Sequence, residues 1–132
     1  MSEFDLSDVS VVMGSYNEEE AIGPVLEDIE AATDGQAEVV VVDGSSDRTP
    51  EIARDHGATV IEQEPRGYGY AVCEALLSAN NSVRITTDCD GTYPMERIPD
   101  FLDLVNDGYD VVSGDRLYYG AETMPAMNRL GN

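Results

Sequence analysis

Asp88 and Asp90, one residue apart around Cys89, are the pair in this chain best suited to chemistry. In extended backbone, alternate side chains share a face. The two carboxylates would then point one way, with Cys89 turned into a core. Two carboxylates on one face make a hard oxygen site for Mg2+ or Mn2+, with positions left over for substrate phosphates. Two solvated aspartates at a strand-end turn have the same spacing, and a chain with 27 Asp and Glu forms D-x-D pairs by chance. A calcium loop of the EF-hand type is excluded, because it wants Gly and then an acid where this chain has Tyr93 and Pro99.

Other residues add to that pair. Asp43 closes an apolar run and opens the turn Asp43-Gly44-Ser45-Ser46-Asp47, where it can accept from a nucleobase or ribose or cap the next helix. Arg66 and Gly67 precede a helix start, whose free N–H groups can meet a phosphate or merely enter the helix. Gly67-x-Gly69 is not a dinucleotide fingerprint, since Val72 stands where the third Gly belongs and Glu62 to Arg66 separate it from a strand. Arg116 is a candidate diphosphate partner or a surface ion pair. His56, the lone histidine, sits at a helix end before Gly57 and reads as structural.

The elements that must position these groups alternate along the chain. Val9 to Met13 reads as a strand, followed by a helix from about Glu18 to Ala32 with Asn17 as its N-cap. Its apolar residues Ile22, Val25, Leu26 and Ile29 recur at the spacing of one helical face. Val39 to Val42 is wholly β-branched, the pattern of a strand buried on both sides. The spacing predicts a helix over Thr49 to Asp55, strands over Ala58 to Ile61 and Val83 to Thr86, and helices over Tyr68 to Ala79 and Glu96 to Asn106. A fifth strand is expected over Asp110 to Ser113. Such alternation predicts an α/β fold with a mostly parallel, Rossmann-like sheet flanked by helices. Ligands bind such sheets beyond the carboxyl ends of the strands, where the polar candidates gather.

Composition narrows the partners. All seven basic residues are Arg, and the net charge is −20 over 132 residues. So acidic a chain offers no basic face to nucleic acid and no polybasic patch to anionic lipid. Its self-repulsion is relieved where salt shortens the Debye length to about 3 Å at 1 M, which predicts a salt-adapted, halophilic protein. Cys73 and Cys89 form no metal-ligand spacing and read as reduced thiols. No run is long enough to span a membrane, and the acidic start is not a signal peptide, so a cytoplasmic location is expected. The length supports a single domain, residues 1–132.

Taken in order, the motifs resemble glycosyltransferase family 2. Val11 to Glu19 resembles its opening strand and loop, Val41 to Thr49 its second signature, and Arg66-Gly67-Tyr68-Gly69 its third. Thr87 to Pro94 resembles its metal motif as found in polyprenyl-phosphate sugar synthases. Val112 to Arg116, Met124-Pro125 and Arg129 to Asn132 continue the likeness. Gly14 departs from the usual Pro of the first loop, and a single Asp43 stands where many members have two acids.

The resemblance implies the nucleotide-binding half of a GT-A fold and an inverting hexose transfer from a UDP or GDP sugar. It implies that Ser15, Tyr16, Glu18 and Asp43 hold the nucleoside, and that Asp88 and Asp90 hold ribose, Mg2+ or Mn2+, and diphosphate. It places Arg116 on the phosphates or the acceptor, Arg129 on the acceptor side, and Thr92 beside the metal. The implied acceptor is a polyprenyl (dolichyl) phosphate. A soluble phosphorylated acceptor is the alternative, and a non-catalytic nucleotide-sugar-binding module a second. Family members continue beyond the position of Asn132, so the resemblance implies a chain ended after its donor-binding half. The full-length form is then expected at the cytoplasmic membrane face. An exposed sheet edge could pair with another copy. A nucleotidyltransferase would want a Gly-rich basic phosphate loop, which is not evident.

Overall fold

A computed structural model describes residues 3–113. Four strands form one parallel sheet: β1 (Val9–Ser15), β2 (Glu38–Asp43), β3 (Thr59–Glu62) and β4 (Val83–Thr86), in the order β3-β2-β1-β4. Between them run α1 (Ile22–Thr33), α2 (Thr49–Asp55) and α3 (Tyr68–Ser78), and α4 (Ile98–Asn106) follows β4. The chain moves outward from β1 through β2 to β3, then crosses back to pair β4 with the other side of β1. That reversal opens a crevice between the carboxyl ends of β1 and β4.

The two faces of β1 explain the layering. Val9, Val11 and Met13 pack, with Val41, against Ile22, Val25, Leu26 and Ile29 of α1, joined by Ala53 of α2 and Ile98 and Leu102 of α4. Val12 faces the other way with Val40 and Val42, against Ala75 and Ala79 in and after α3. All seven residues of β1 are buried, as expected of a central strand covered on both sides. The α3 layer lies close: a Cβ built on Gly14 would stand 2.8 Å from that of Ala71. Glycine at that position lets helix and strand approach.

Two expectations need correction. The first helix starts at Ile22, not Glu18, and Asn17 is not its N-cap. Asn17 takes a left-handed backbone (φ 53°), and its Oδ1 accepts the Ser46 N–H at 3.0 Å. A partner 29 residues away has outcompeted local capping. The Glu18 carbonyl instead takes the first turn's bonds, from the N–H groups of Ala21 and Ile22. Second, Asp110 to Ser113 form no strand. No described strand lies beside them, and Val111 is 85% exposed. Extended valines need a neighbouring backbone to complete a ladder. The other elements fall within three residues of their expected limits, with a short 3-10 turn (Met95–Arg97) leading into α4.

Candidate functional site

Polar groups collect at the carboxyl ends of the strands because each strand stops there in a turn. Gly14, Ser15 and Tyr16 leave β1, Asp43 and Gly44 leave β2, Gln63 to Gly67 lead from β3 into α3, and Asp88 to Asp90 leave β4. Together with Glu18, Tyr68 and Ala71 they line one cleft of about 490 Å3. Such a volume suits a small-molecule ligand. One wall is close-fitting, since a Cβ on Gly44 would meet Pro65 at 3.1 Å.

The structure thus brings Ser15, Tyr16, Glu18, Asp43, Arg66, Gly67, Asp88 and Asp90 to the same cleft. Arg116 and Arg129 lie outside the described residues. Tyr16 is 59% exposed, a ring presented to solvent at the cleft. Asp43 is different: buried and held from within. Its Oδ1 accepts from the hydroxyls of Ser15 (2.6 Å) and Ser45 (2.7 Å), and its Oδ2 accepts the Ser45 N–H at 3.0 Å. Ser45 Oγ in turn accepts the Asn17 N–H at 2.7 Å, so the turns after β1 and β2 are tied together. Glu18 joins the same knot, its N–H donating to Thr49 Oγ1 at 2.9 Å.

The two carboxylates of the turn after β4 are held more lightly. Asp88 Oδ1 accepts from the Tyr68 hydroxyl. Asp90 Oδ1 accepts from Thr92, from its N–H at 3.0 Å and its hydroxyl at 2.6 Å. Cys89 is buried between them, as expected, with its thiol pointing at the Gly14 carbonyl (3.5 Å) and pushed up to about 12 by burial. Glu18 feels both aspartates. Burial raises its pKa first, and the charges of Asp90, Asp47 and Asp88 raise it further. The cleft is therefore rich in negative charge and short of cations. Arg66 stands at its edge, stacked 5.2 Å over the Tyr70 ring and donating to that hydroxyl at 3.3 Å. No ion pair engages Arg66 among the described residues, whereas Arg48, Arg54 and Arg97 are each paired.

No group of three His, Cys, Asp or Glu side chains among the described residues could close around a metal. The donor set of Asp88 and Asp90 does not fit a closed zinc site. It fits Mg2+ or Mn2+, which take one or two carboxylates and complete their shell with water and substrate phosphates. His56 is structural, as expected: its Nδ1 lies 2.9 Å from the Ile52 carbonyl and Nε2 3.4 Å from Glu27 Oε1. Sequence reasoning missed the roles of Tyr68, Ser45 and Asn17. Their partners lie in other turns, and no local spacing signals them.

The profile of glycosyl transferase family 2 matches residues 10–131. A dolichyl-phosphate hexose transferase of Haloferax volcanii is 67% identical over 132 residues, all of this chain and 58% of that protein. Among solved structures, a mannosyltransferase of Pyrobaculum calidifontis in complex with GDP-Man and Mn2+ superposes with a TM-score of 0.65 at 29% identity. It covers 82% of this chain and 35% of its own. The glucosyl-3-phosphoglycerate synthase of Mycobacterium tuberculosis with Mn2+, UDP-Glc and phosphoglyceric acid gives 0.64 at 26% identity, over 76% and 40%. The chain thus spans little more than half the length of the Haloferax transferase and less of the two solved enzymes.

Proposed function

The chain belongs to glycosyl transferase family 2, and from that premise we propose that it is the donor-binding half of a metal-dependent, inverting hexosyltransferase acting on a polyprenyl (dolichyl) phosphate. The observation that carries this reading is the meeting of Asp88, Asp90, Glu18, Tyr16 and Arg66 in one cleft at the β1/β4 crevice. In this reading Ser15, Tyr16, Glu18 and Asp43 shape the nucleoside end. Asp43 does so from below, by fixing Ser15 and Ser45. Arg66 and the N–H groups after Gly67 face the phosphates at the start of α3. Arg116 is assigned to the phosphates or the acceptor and Arg129 to the acceptor on the family resemblance alone, since both lie outside the described residues.

Asp88 and Asp90 would hold Mg2+ or Mn2+. Such an ion neutralises the charge that builds on a departing nucleoside diphosphate. The chain's own part is to bind and orient the donor and keep the sugar carbon open to attack from the far side. A phosphate acceptor is already ionised near neutral pH and needs no general base, whereas a hydroxyl usually does. That the Haloferax relative is a dolichyl-phosphate hexose transferase supports the lipid-phosphate acceptor, and the mycobacterial enzyme's phosphoglyceric acid supports a soluble phosphorylated alternative. No described helix is long and apolar enough to cross a membrane. A cytoplasmic domain, peripheral at the membrane in a chain of the Haloferax relative's length, is part of the proposal.

The test is calorimetric titration of UDP-glucose and GDP-mannose, each with and without Mn2+, in high salt. Metal-dependent binding of one donor is expected, and the donor that binds identifies the base. A folded protein that takes neither donor contradicts the reading. Adding polyprenyl phosphate or 3-phosphoglycerate to a chain extended to the relatives' length then separates the two acceptors.

A further inference from the structure

Resting on the reading above, we propose that Tyr68 is a positioning residue that holds Asp88 ready for the donor and its metal. Asp90 is oriented by its own turn, through Thr92 two residues on. Asp88 has no such local support. Among the described residues, the only hydrogen bond to its carboxylate comes from the Tyr68 hydroxyl, 20 positions earlier, and no Arg pairs with it.

The backbone is arranged for that reach. Gly67 lies at φ 100° and ψ 158°, a conformation that side chains rarely adopt, yet nothing stands within 4 Å of where its Cβ would be. Glycine is present there for its conformation and not for space. It sets the start of α3 so that the first side chain of the helix meets the turn after β4. Tyr68 itself is 58% exposed, and the core contacts of α3 come from Ala75 and its neighbours. A large ring so little buried contributes little to packing. Its hydroxyl is the part with a specific partner.

A carboxylate held at one oxygen loses rotamer freedom before the ligand arrives, which leaves less to be lost on binding. Partners that orient metal-side carboxylates typically matter by ten- to a hundredfold in affinity. Asp88 Oδ2 receives no hydrogen bond among the described residues and is the oxygen left for the donor or its cation.

The test is titration of UDP and GDP, with and without Mn2+, into wild type, Tyr68→Phe, Asp88→Ala and the double variant, with melting curves alongside. Phe keeps the ring and removes only the hydroxyl. The Mn2+-dependent gain in nucleotide affinity should fall about tenfold in Tyr68→Phe. Metal-free affinity should fall less than that, and the melting temperature should stay put. In the Asp88→Ala background the second change should add nothing, because the tyrosine then has no carboxylate to hold. An unchanged gain in Tyr68→Phe overturns the proposal while leaving the donor-site reading intact. So does a loss that persists undiminished in the Asp88→Ala background, which would mean that Tyr68 touches the nucleotide directly. Wild type that binds neither nucleotide sinks both.

Discussion

Carboxylates sit at both ends of this sheet, and the two ends treat them oppositely. At the amino end, Glu38 opens β2. Its Oε1 accepts the Ser10 hydroxyl at 2.6 Å and the Asn80 N–H at 2.8 Å, and its Oε2 accepts the Asn80 side-chain amide at 2.6 Å. Asn81 adds bonds to Ser10 Oγ and the Val9 carbonyl, and Arg84 caps the carbonyls of Leu76 and Asn81. Burial opposes the Glu38 charge, yet the bonds from Asn80 and Ser10 and the Arg84 guanidinium overcome it and lower its pKa. At the carboxyl end, burial and three neighbouring aspartates raise that of Glu18. One end is a clasp whose acceptors are filled by the protein. The other fills Asp43 from within but, among the described residues, leaves Asp88 Oδ2 without a donor and no Arg paired to Glu18, Asp88 or Asp90, as a site must if its donors and cations arrive with a ligand.

The sharpest way to break that contrast is Asp90→Ala. If the carboxyl end serves binding, this change should cost about a hundredfold or more in Mn2+-dependent donor affinity, the scale for losing one partner of a desolvated charge pair. Stability should move by no more than about 0.5 kcal/mol, because Asp90 is exposed and, among the described residues, bonds only within its own turn. Titration and denaturant unfolding of the same preparation check both halves. A large loss of stability would make the D-x-D turn part of the scaffold.

Glu38→Ala is the mirror experiment. It strips the Ser10 and Asn80 donors of their acceptor and should cost about 2 kcal/mol, read from urea unfolding. Donor affinity should stay within about twofold, on the ground that a distant structural change leaves an intact site nearly untouched. The pH sign follows from the lowered pKa of Glu38. Its contribution is present above the unfolded value of 4.5 and fades as pH falls through the folded one. The gap between wild type and Glu38→Gln should therefore be wide at pH 7 and should close progressively as pH falls below 4.5 and through the lower folded value.

This contrast also marks what the sequence could show. Strand β2 was legible because four consecutive valines leave few alternatives, and α1 and α4 because their apolar residues recur on one face. The site's types were legible too: Asp43, Asp88 and Asp90 stand where strands stop, and stops in a parallel sheet face ligands. What was hidden is everything decided by a partner far along the chain. Asn17 reads as an N-cap until Ser45 and Ser46 are found beside it. Glu38 looks like one more acid among 27 until Asn80 arrives from 42 residues away. The Val-Val pair at 111–112 has strand propensity, but among the described residues no edge receives it.

The smallest effect separates the causes of strain at the carboxyl end. The raised pKa of Glu18 means that the folded protein disfavours its charge. That penalty is absent below the unfolded value of 4.5 and complete once pH exceeds the folded one. Glu18→Gln should thus stabilise the protein at pH 7 and do nothing at low pH, the reverse of Glu38→Gln. Glu18 is only partly buried and water still screens its charge, so the gain is about a few tenths of a kcal/mol. Its two causes respond differently to added ions. Repulsion from Asp90, Asp47 and Asp88 is screened as the Debye length falls from about 10 Å at 0.1 M to about 3 Å at 1 M, whereas desolvation is not. Melting curves in rising KCl should shrink the gain without abolishing it, since burial is the largest single cause. Millimolar Mn2+ should shrink it further at constant ionic strength if the cation seats on Asp88 and Asp90. A gain indifferent to Mn2+ but sensitive to KCl would place the cation elsewhere.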